Sequence, residues 1–326
     1  MSIKRIVKTK TTEILGVYWV LARIIIPISI LTELLQRMGA IEAIAPYFAP
    51  LMSIVGLPSE LGLAWLTAML VGIWGAVPLI FTLVPVSSLS VADVTVFSSL
   101  ILFAHGLPIE QKIIKEVGPN IIPTTILRIL GGLLFAFLLH QLLSSTDWLS
   151  VTVTPAWIPI TATPSWAEYF LSLGVAMLWM LIILASLALS LEILKVTSVL
   201  ERMMALIAPT LRVSGIQGEA GYLTVVGLFL GISFGAGLLI QEARSGTIAP
   251  RQLFLSCVFM GFAHSVIEDT LVMLALGADI YAILFGRILF AIAATAVIAA
   301  LLPHLTDRTF FAHFFSLMER KQNNKA

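Results

Sequence analysis

The sequence FAHGLPIE spans residues 103–110, and 159 residues later the chain reads FAHSVIED, at residues 262–269. The tripeptide FAH alone is weak evidence, because it occurs again at residues 311–313. The same shift (264 − 105 = 159), however, also aligns charged residues and glycines inside apolar stretches: Glu33 with Glu192, Gly72 with Gly231, Gly118 with Gly277 and Arg128 with Arg287. The chain therefore contains two copies of one sequence repeat, an arrangement that predicts a pathway where the copies meet.

The composition indicates a membrane protein. Of the 326 residues, 59% are hydrophobic and 11% are charged, and the mean hydropathy is +1.03. Soluble domains average roughly 45–50% apolar and about 25% charged residues. The net charge of +1 gives no argument for a nucleic-acid partner. A single cysteine, Cys257, excludes an internal disulfide and any site built from several cysteines.

Several apolar stretches are long enough to span a bilayer, for which a helix needs about 20 residues. The first, which contains Arg23 and ends at Glu33, is interpreted as a retained helix rather than a cleaved signal. Two further apolar regions are interrupted by polar residues and predict re-entrant or broken helices. The shorter segments 42–56 and 201–215 predict interfacial or half-penetrating helices. The six expected spans are 14–36, 60–85, 119–143, 166–193, 218–241 and 278–303, and the two interrupted regions are 90–117 and 250–276.

Lysine and arginine residues orient this frame. They are abundant before the first span and in the tail, and none occurs from 129 to 194. Both termini are therefore expected in the cytoplasm, and the loop at 144–165, which is rich in Ser, Thr and Pro, is expected outside. The copies then have opposite orientations. The expected organisation is repeat one at 1–143, an external loop at 144–165, repeat two at 166–305 and a cytoplasmic tail at 306–326. The fold class is all-α integral membrane, with inverted repeats of about six spans and two broken hairpins, in the plasma (inner) membrane.

The first candidate site combines histidine with carboxylates. His105 precedes Glu110, and His264 precedes Glu268 and Asp269. This spacing is about one helical turn, so each set would share a face if its helix were continuous. Ionisable groups inside apolar segments usually face a cavity or each other. Histidine changes charge near neutral pH, so these residues could relay a proton or bind a cation; hydrogen-bonded histidines at a helix end are the structural alternative.

The second candidate is a pair of glutamate–arginine sets, Glu33 with Arg128 and Glu192 with Arg287. A charge at the bilayer centre costs at least about 2.5–3.5 kcal/mol, and pairing would lower that cost. We expect structural ion pairs, with a carboxylate released by movement of the repeats as the functional alternative. The glycines near 72 and 231 predict close helix packing or an unwound backbone at a binding site.

No H-E-x-x-H zinc signature and no phosphate-binding GxxxxGK(S/T) sequence occurs, and we expect neither an enzyme nor a cofactor. The Gly-rich breaks, the histidine segments, and the entry APLMSIVGLPSE at 49–60 with its copy at 208–219 resemble the Gate (nucleoside-recognition-like) domain family. That family includes the membrane core of the ferrous-iron transporter B, segments of concentrative nucleoside transporters and the spore maturation membrane proteins. The resemblance implies a permease-like core of inverted repeats. We expect no GTPase domain before the core, and the sequence has a single cysteine, so iron transport is not expected.

These observations predict a transporter of a small polar solute, coupled to protons or cations, with its site between the repeats. A divalent-cation conduit and a non-transporting membrane assembly component are the alternatives. The expected partners are the lipid bilayer and a small-molecule or ion substrate; homo-oligomerisation stays open, as does metal binding.

Overall fold

The computed structural model describes residues 3–158, 165–207 and 209–315. This part of the chain is helical and contains no β-strand beyond two isolated bridges. The first half of the helices are α1 (Ile3–Arg37), α2 (Ala40–Ile44), α3 (Ala49–Ile54), α4 (Leu61–Val71), α5 (Ile73–Leu83), α6 (Val91–Phe103), α7 (Leu107–Val117) and α8 (Ile121–Thr146). The remainder are α9 (Trp166–Val196), α10 (Val199–Ile207), α11 (Glu219–Ser245), α12 (Pro250–Phe262), α13 (Glu268–Ala275), α14 (Arg287–Leu301) and α15 (Asp307–His313).

Three helices of the described chain are long and apolar enough to cross a membrane: Ile121–Thr146, Trp166–Ser186 and Tyr281–His304. The last begins with a π-helical turn at Tyr281–Gly286. Helices α6 and α7, which meet at a bend of 40°, would form a fourth span if they cross together. The expectation of an all-helical membrane protein is therefore confirmed.

Glycine breaks two of the segments that were expected to be continuous spans. The stretch 60–85 is two helices, because Gly72 between them has φ 109° and ψ 177°, a conformation that L-residues with a side chain rarely adopt. In α11, Gly231 at the equivalent position has φ 82° and ψ 163° and kinks the helix. The two regions expected to be interrupted are interrupted, by the breaks between α6 and α7 and between α12 and α13.

The same offset of 159 relates backbone conformations as well as sequence. Ten of the fourteen described residues with positive φ form pairs at this spacing: Gly39 and Ser198, Gly56 and Gly215, Gly72 and Gly231, Gly106 and Ser265, Gly118 and Gly277. Because positive φ is uncommon, five such pairs show that both copies turn the chain at equivalent places. At Ser198 and Ser265 the second copy keeps the turn without glycine.

The chain divides into two compact units, and each draws on both copies. Unit 1 comprises Met1–Leu107, Gly132–Arg202 and Glu268–Phe285. Its helix α1 packs against α5 and α9, while α6 packs against α4 and α13. The buried indole of Trp65 on α4 donates a 3.2 Å hydrogen bond to the carbonyl of Leu100 on α6.

Unit 2 comprises Pro108–Gly131, Met203–Ile267 and Gly286–Ala326. Its helix α12 packs against α11 and α14. Phe254 on α12 contacts Phe310 and Phe314 edge to ring. The backbone amide of Asn120 donates a 2.9 Å hydrogen bond to the carbonyl of Phe314, which holds the end of the described chain to the start of α8. Unit 1 is built mostly from the first copy but includes the segment 268–285 of the second, which carries Asp269. Unit 2 is built mostly from the second copy but includes the segment 108–131 of the first, which carries Glu110.

Candidate functional site

Both histidines lie in breaks between helices. After α6 ends at Phe103, the chain passes through His105 and turns at Gly106, where φ is 56°, before α7 begins. After α12 ends at Phe262, it passes through His264 and turns at Ser265, where φ is 49°. A helix break exposes carbonyl groups that need donors at membrane depth. In both breaks the histidine side chain is one of these donors.

The ring nitrogen Nδ1 of each histidine is fixed by a backbone carbonyl. In His105 it lies 2.9 Å from the oxygen of Ile101, and in His264 it lies 2.7 Å from the oxygen of Met260. Because a carbonyl oxygen can only accept, Nδ1 must carry a proton in both residues. Nε2 is therefore the nitrogen that gains or loses a proton, and in both residues it faces a carboxylate.

In unit 2 the carboxylate belongs to Glu110 on α7. Its Oε1 lies 3.2 Å from Nε2 of His264, and its Oε2 accepts a 2.6 Å hydrogen bond from Nη1 of Arg128 on α8. The exposed fractions of Glu110, His264 and Arg128 are 5%, 1% and 2%. An unprotonated Nε2 and an ionised carboxylate would both be acceptors, so this contact requires a proton on one of the two atoms. The cluster can therefore store one proton.

In unit 1 the carboxylate belongs to Asp269 on α13. Its Oδ2 lies 3.5 Å from Nε2 of His105, and both residues are buried. This distance is that of a close ion pair rather than a normal hydrogen bond. Glu268 stands one residue earlier, half-buried at the start of α13. Asp269, not Glu268, is thus the carboxylate that meets the histidine.

The pairing differs from the sequence expectation that each histidine shares a helical face with the carboxylate that follows it. The helices end at Phe103 and Phe262, before the histidines, so the carboxylate that follows each histidine is not one turn further along a continuous helix. Glu110 and Asp269 are themselves separated by 159 positions, and each meets the histidine of the other copy. The contacts are reciprocal: residue 264 with 110, and residue 105 with 269.

The expected glutamate–arginine pairs are also redistributed. Glu33 is buried and accepts a 2.7 Å hydrogen bond from Nε of Arg37, one turn further along α1. Arg128 bonds Glu110 and not the expected Glu33. Arg37, on the same helix, is thus the arginine that pairs with Glu33. The side chain of Glu192 lies outside the described residues.

Arg287 has a structural task in unit 2. Its Nε donates a 2.9 Å hydrogen bond to the carbonyl of Phe262, and Nη2 donates a 3.1 Å hydrogen bond to that of His264. Both carbonyls belong to the end of α12 and the break after it. A buried guanidinium has five donors, which suits it to several carbonyls left by a broken helix. Arg287 thus supports the backbone that presents His264.

Sequence reasoning did not identify Arg37, nor two buried polar residues beside the carboxylates, Gln111 and Thr270. The sequence repeat could have pointed to Gln111 and Thr270, because the shift of 159 residues aligns them with each other and aligns Glu110 with Asp269. Cys257, which the repeat aligns with Ser98, is a free cysteine buried in α12.

The fold and the site together define the class of this protein: it is a multi-pass helical membrane protein with two buried histidine–carboxylate pairs. Residues 18–120 match the model of the Gate family, which is described as nucleoside recognition, so the resemblance seen in the sequence is confirmed. The matched region includes His105 and Glu110 but ends before Arg128 and the second copy.

The chain is also similar to a full-length relative. It is 25% identical over 284 residues to the uncharacterised membrane protein YvoD of Bacillus subtilis (strain 168), an alignment that covers 86% of this chain and 90% of the relative. No solved structure matches the chain.

Proposed function

We propose that this protein is a secondary transporter that moves a small polar solute across the plasma membrane in a proton- or cation-coupled cycle. The two copies act as inverted repeats, and the histidine–carboxylate pairs are the sites whose charge changes during the cycle. Transporters built from inverted repeats bind near the bilayer midplane, where discontinuous helices meet. The breaks at His105 and His264 supply such helices.

The observation that carries this proposal is the reciprocal pairing of the two copies. His105 of the first copy meets Asp269 of the second, and His264 of the second meets Glu110 of the first. Movement of one copy against the other changes both distances. A carboxylate that loses its histidine partner in an apolar environment becomes a stronger base, so movement and protonation are linked.

The test begins with thermal unfolding of the purified protein in the presence of nucleosides, amino acids, organic acids and metal ions. A solute that raises the midpoint is then used for uptake into proteoliposomes with an imposed pH gradient. We expect His105→Ala and His264→Ala each to reduce gradient-driven uptake by roughly tenfold or more, as expected when a positioned proton-transfer group is lost.

The tail offers a matched control, because His313 follows the same Phe-Ala dipeptide but is exposed on α15. His313→Ala should transport like the unmodified protein. The proposal is wrong if the variant lacking both His105 and His264 still takes up the solute at the unmodified rate.

A divalent cation is the second candidate substrate, because imidazole and carboxylate are both metal ligands and His105 lies beside Asp269. Calorimetry with Mn²⁺, Fe²⁺ and Zn²⁺ separates the two candidates. A conduit for metal should bind one of these ions, and His105→Ala should weaken that binding by at least roughly tenfold, the usual scale for the loss of a supporting ligand. Equal heats for both proteins would rule the cation out.

A further inference from the structure

Gln111 is a buried amide with one unused end. It follows Glu110 on α7, has an exposed fraction of 5%, and its Oε1 accepts a 2.7 Å hydrogen bond from the hydroxyl of Thr124. Its Nε2 has no partner among the described residues. If the amide were turned over, Nε2 could meet Thr124 and the oxygen would be left unused instead. In either orientation, the protein satisfies one end of Gln111.

Thr270 occupies the position equivalent to Gln111 in the second copy (270 − 111 = 159). It follows Asp269 on α13, its exposed fraction is 3%, and its hydroxyl has no partner among the described residues. Thr95 and Thr224, which are also buried, bond the carbonyls four residues earlier, those of Val91 and Ala220. The hydroxyl of Thr295 in α14, like that of Thr270, has no partner among the described residues. Thr270 is the third residue of α13, so the residue four positions before it lies outside that helix.

These two positions are related by the offset that pairs the histidines and the carboxylates. Within the described chain, no other two buried polar atoms without partners belong to positions related in this way. A buried polar group without a partner costs about 1–3 kcal/mol. The same cost at both equivalent positions, each beside a carboxylate of the site, indicates a shared purpose rather than a local packing fault.

We propose that Gln111 and Thr270 are the residues that contact the transported solute at the two histidine–carboxylate sites. This inference rests on the proposed transport function and deepens it. An amide and a hydroxyl are neutral and offer both donors and acceptors. They suit an uncharged polar solute that carries carbonyl, amide or hydroxyl groups. The difference between glutamine and threonine makes the two sites chemically unequal.

Cysteine accessibility tests this without knowledge of the solute. The chain has one cysteine, and Cys257→Ser places there the residue that the first copy has at Ser98. Gln111→Cys and Thr270→Cys are then introduced singly into the full chain in proteoliposomes. They are treated with a small cationic methanethiosulfonate reagent, which reacts with the thiolate.

Two equally buried apolar residues on the same helices serve as controls: Ile114 on α7, with an exposed fraction of 2%, and Val272 on α13, with 1%. If the proposal is correct, Gln111→Cys and Thr270→Cys react roughly tenfold faster or more than Ile114→Cys and Val272→Cys, because a solute pathway admits the reagent. Labelling at the slow rate of the controls would overturn it. Thr270→Cys is close in size to the original residue, so it keeps the test usable if Gln111→Cys fails to fold.

His105→Cys and His264→Cys distinguish this inference from the proposed function. If these two react quickly and positions 111 and 270 do not, the sites are reached by solute but Gln111 and Thr270 do not line them, and the inference alone fails. If none of the four reacts, both fail. If positions 111 and 270 are labelled quickly but no solute shows gradient-driven uptake, Gln111 and Thr270 still line a solute site, and the proposal of coupled transport fails.

Discussion

In unit 2 the carboxylate of Glu110 accepts a 2.6 Å hydrogen bond from Arg128 and lies 3.2 Å from His264, whereas in unit 1 Asp269 lies 3.5 Å from His105. Position 110 has glutamate and position 269 has aspartate, whose side chain is shorter by one methylene. Of the equivalent arginines, Arg128 donates to the carboxylate of Glu110, and Arg287 donates to the carbonyls of Phe262 and His264.

This comparison separates what a duplicated scaffold conserves from what it leaves adjustable. The position of the break, the Nδ1 contact of the histidine and the reciprocal partner are the same in both copies. The strength of the carboxylate contact depends on the individual side chains. We therefore interpret the Glu110 cluster as the more rigid of the two and the His105–Asp269 pair as the more readily altered.

Removal of Arg128 should have the largest effect on stability. Arg128→Met leaves Glu110 buried without its 2.6 Å partner, and breaking a buried ion pair from one side costs about 3–5 kcal/mol. Chemical unfolding in detergent micelles, followed by circular dichroism, would measure this loss. If unit 2 depends on this pair as we infer, the double variant Arg128→Met with Glu110→Met should recover much of the stability, because no unpaired charge remains.

An equal loss in the single and the double variant would contradict this interpretation. It would mean that the size and shape of Arg128, which lies against Gly261, matter more than its charge. A single variant as stable as the unmodified protein would remove the contrast between the two units altogether.

The turns after the histidines should give an intermediate effect, of opposite sign in the two units. Gly106 and Ser265 are equivalent, with φ of 56° and 49°. A residue with a side chain loses about 1–2 kcal/mol in this left-handed conformation. Gly106→Ser should therefore destabilise the protein by about that amount, whereas Ser265→Gly relieves strain and should be neutral or slightly stabilising.

The same unfolding measurement applies to this pair of variants, and Gly174→Ala is a suitable control. Gly174 lies in the middle of α9 without positive φ and with open space where a methyl group would project. Alanine there should be neutral or stabilising because it favours the helix. Destabilisation by Ser265→Gly comparable to that by Gly106→Ser would show that the serine side chain contributes more than its strain costs.

Much of the fold could be predicted because it depends on local composition and on repetition. The apolar stretches, the interruptions near 104 and 263 and the offset of 159 are properties of the sequence that need no tertiary information. The break at Gly72 was harder to predict, because a single glycine in an apolar run is also compatible with a packed, continuous helix.

The histidines and carboxylates of the site could be predicted as residue types, whereas their partners could not. Residues 105 and 110 are neighbours in sequence, and periodicity assigns them to one another. The actual partners are 164 and 154 positions apart (269 − 105 and 264 − 110), and only tertiary packing brings them together. Glu33 shows the opposite error, because a long-range arginine was expected where Arg37, one turn away on the same helix, forms the ion pair.

The smallest effect is expected for the ion pair on the surface of unit 2. Nη2 of Arg244 lies 2.7 Å from Oε2 of Glu116, almost the same distance as in the Arg128–Glu110 pair, but the side chains are 59% and 49% exposed. Water and salt screen such a pair, which typically contributes about 0.2–1 kcal/mol. Arg244→Ala should therefore change the free energy of unfolding by less than about 1 kcal/mol, and the change should shrink further as salt is raised. A loss as large as that of Arg128→Met would mean that the short distance, and not burial, accounts for the importance of the Glu110 cluster.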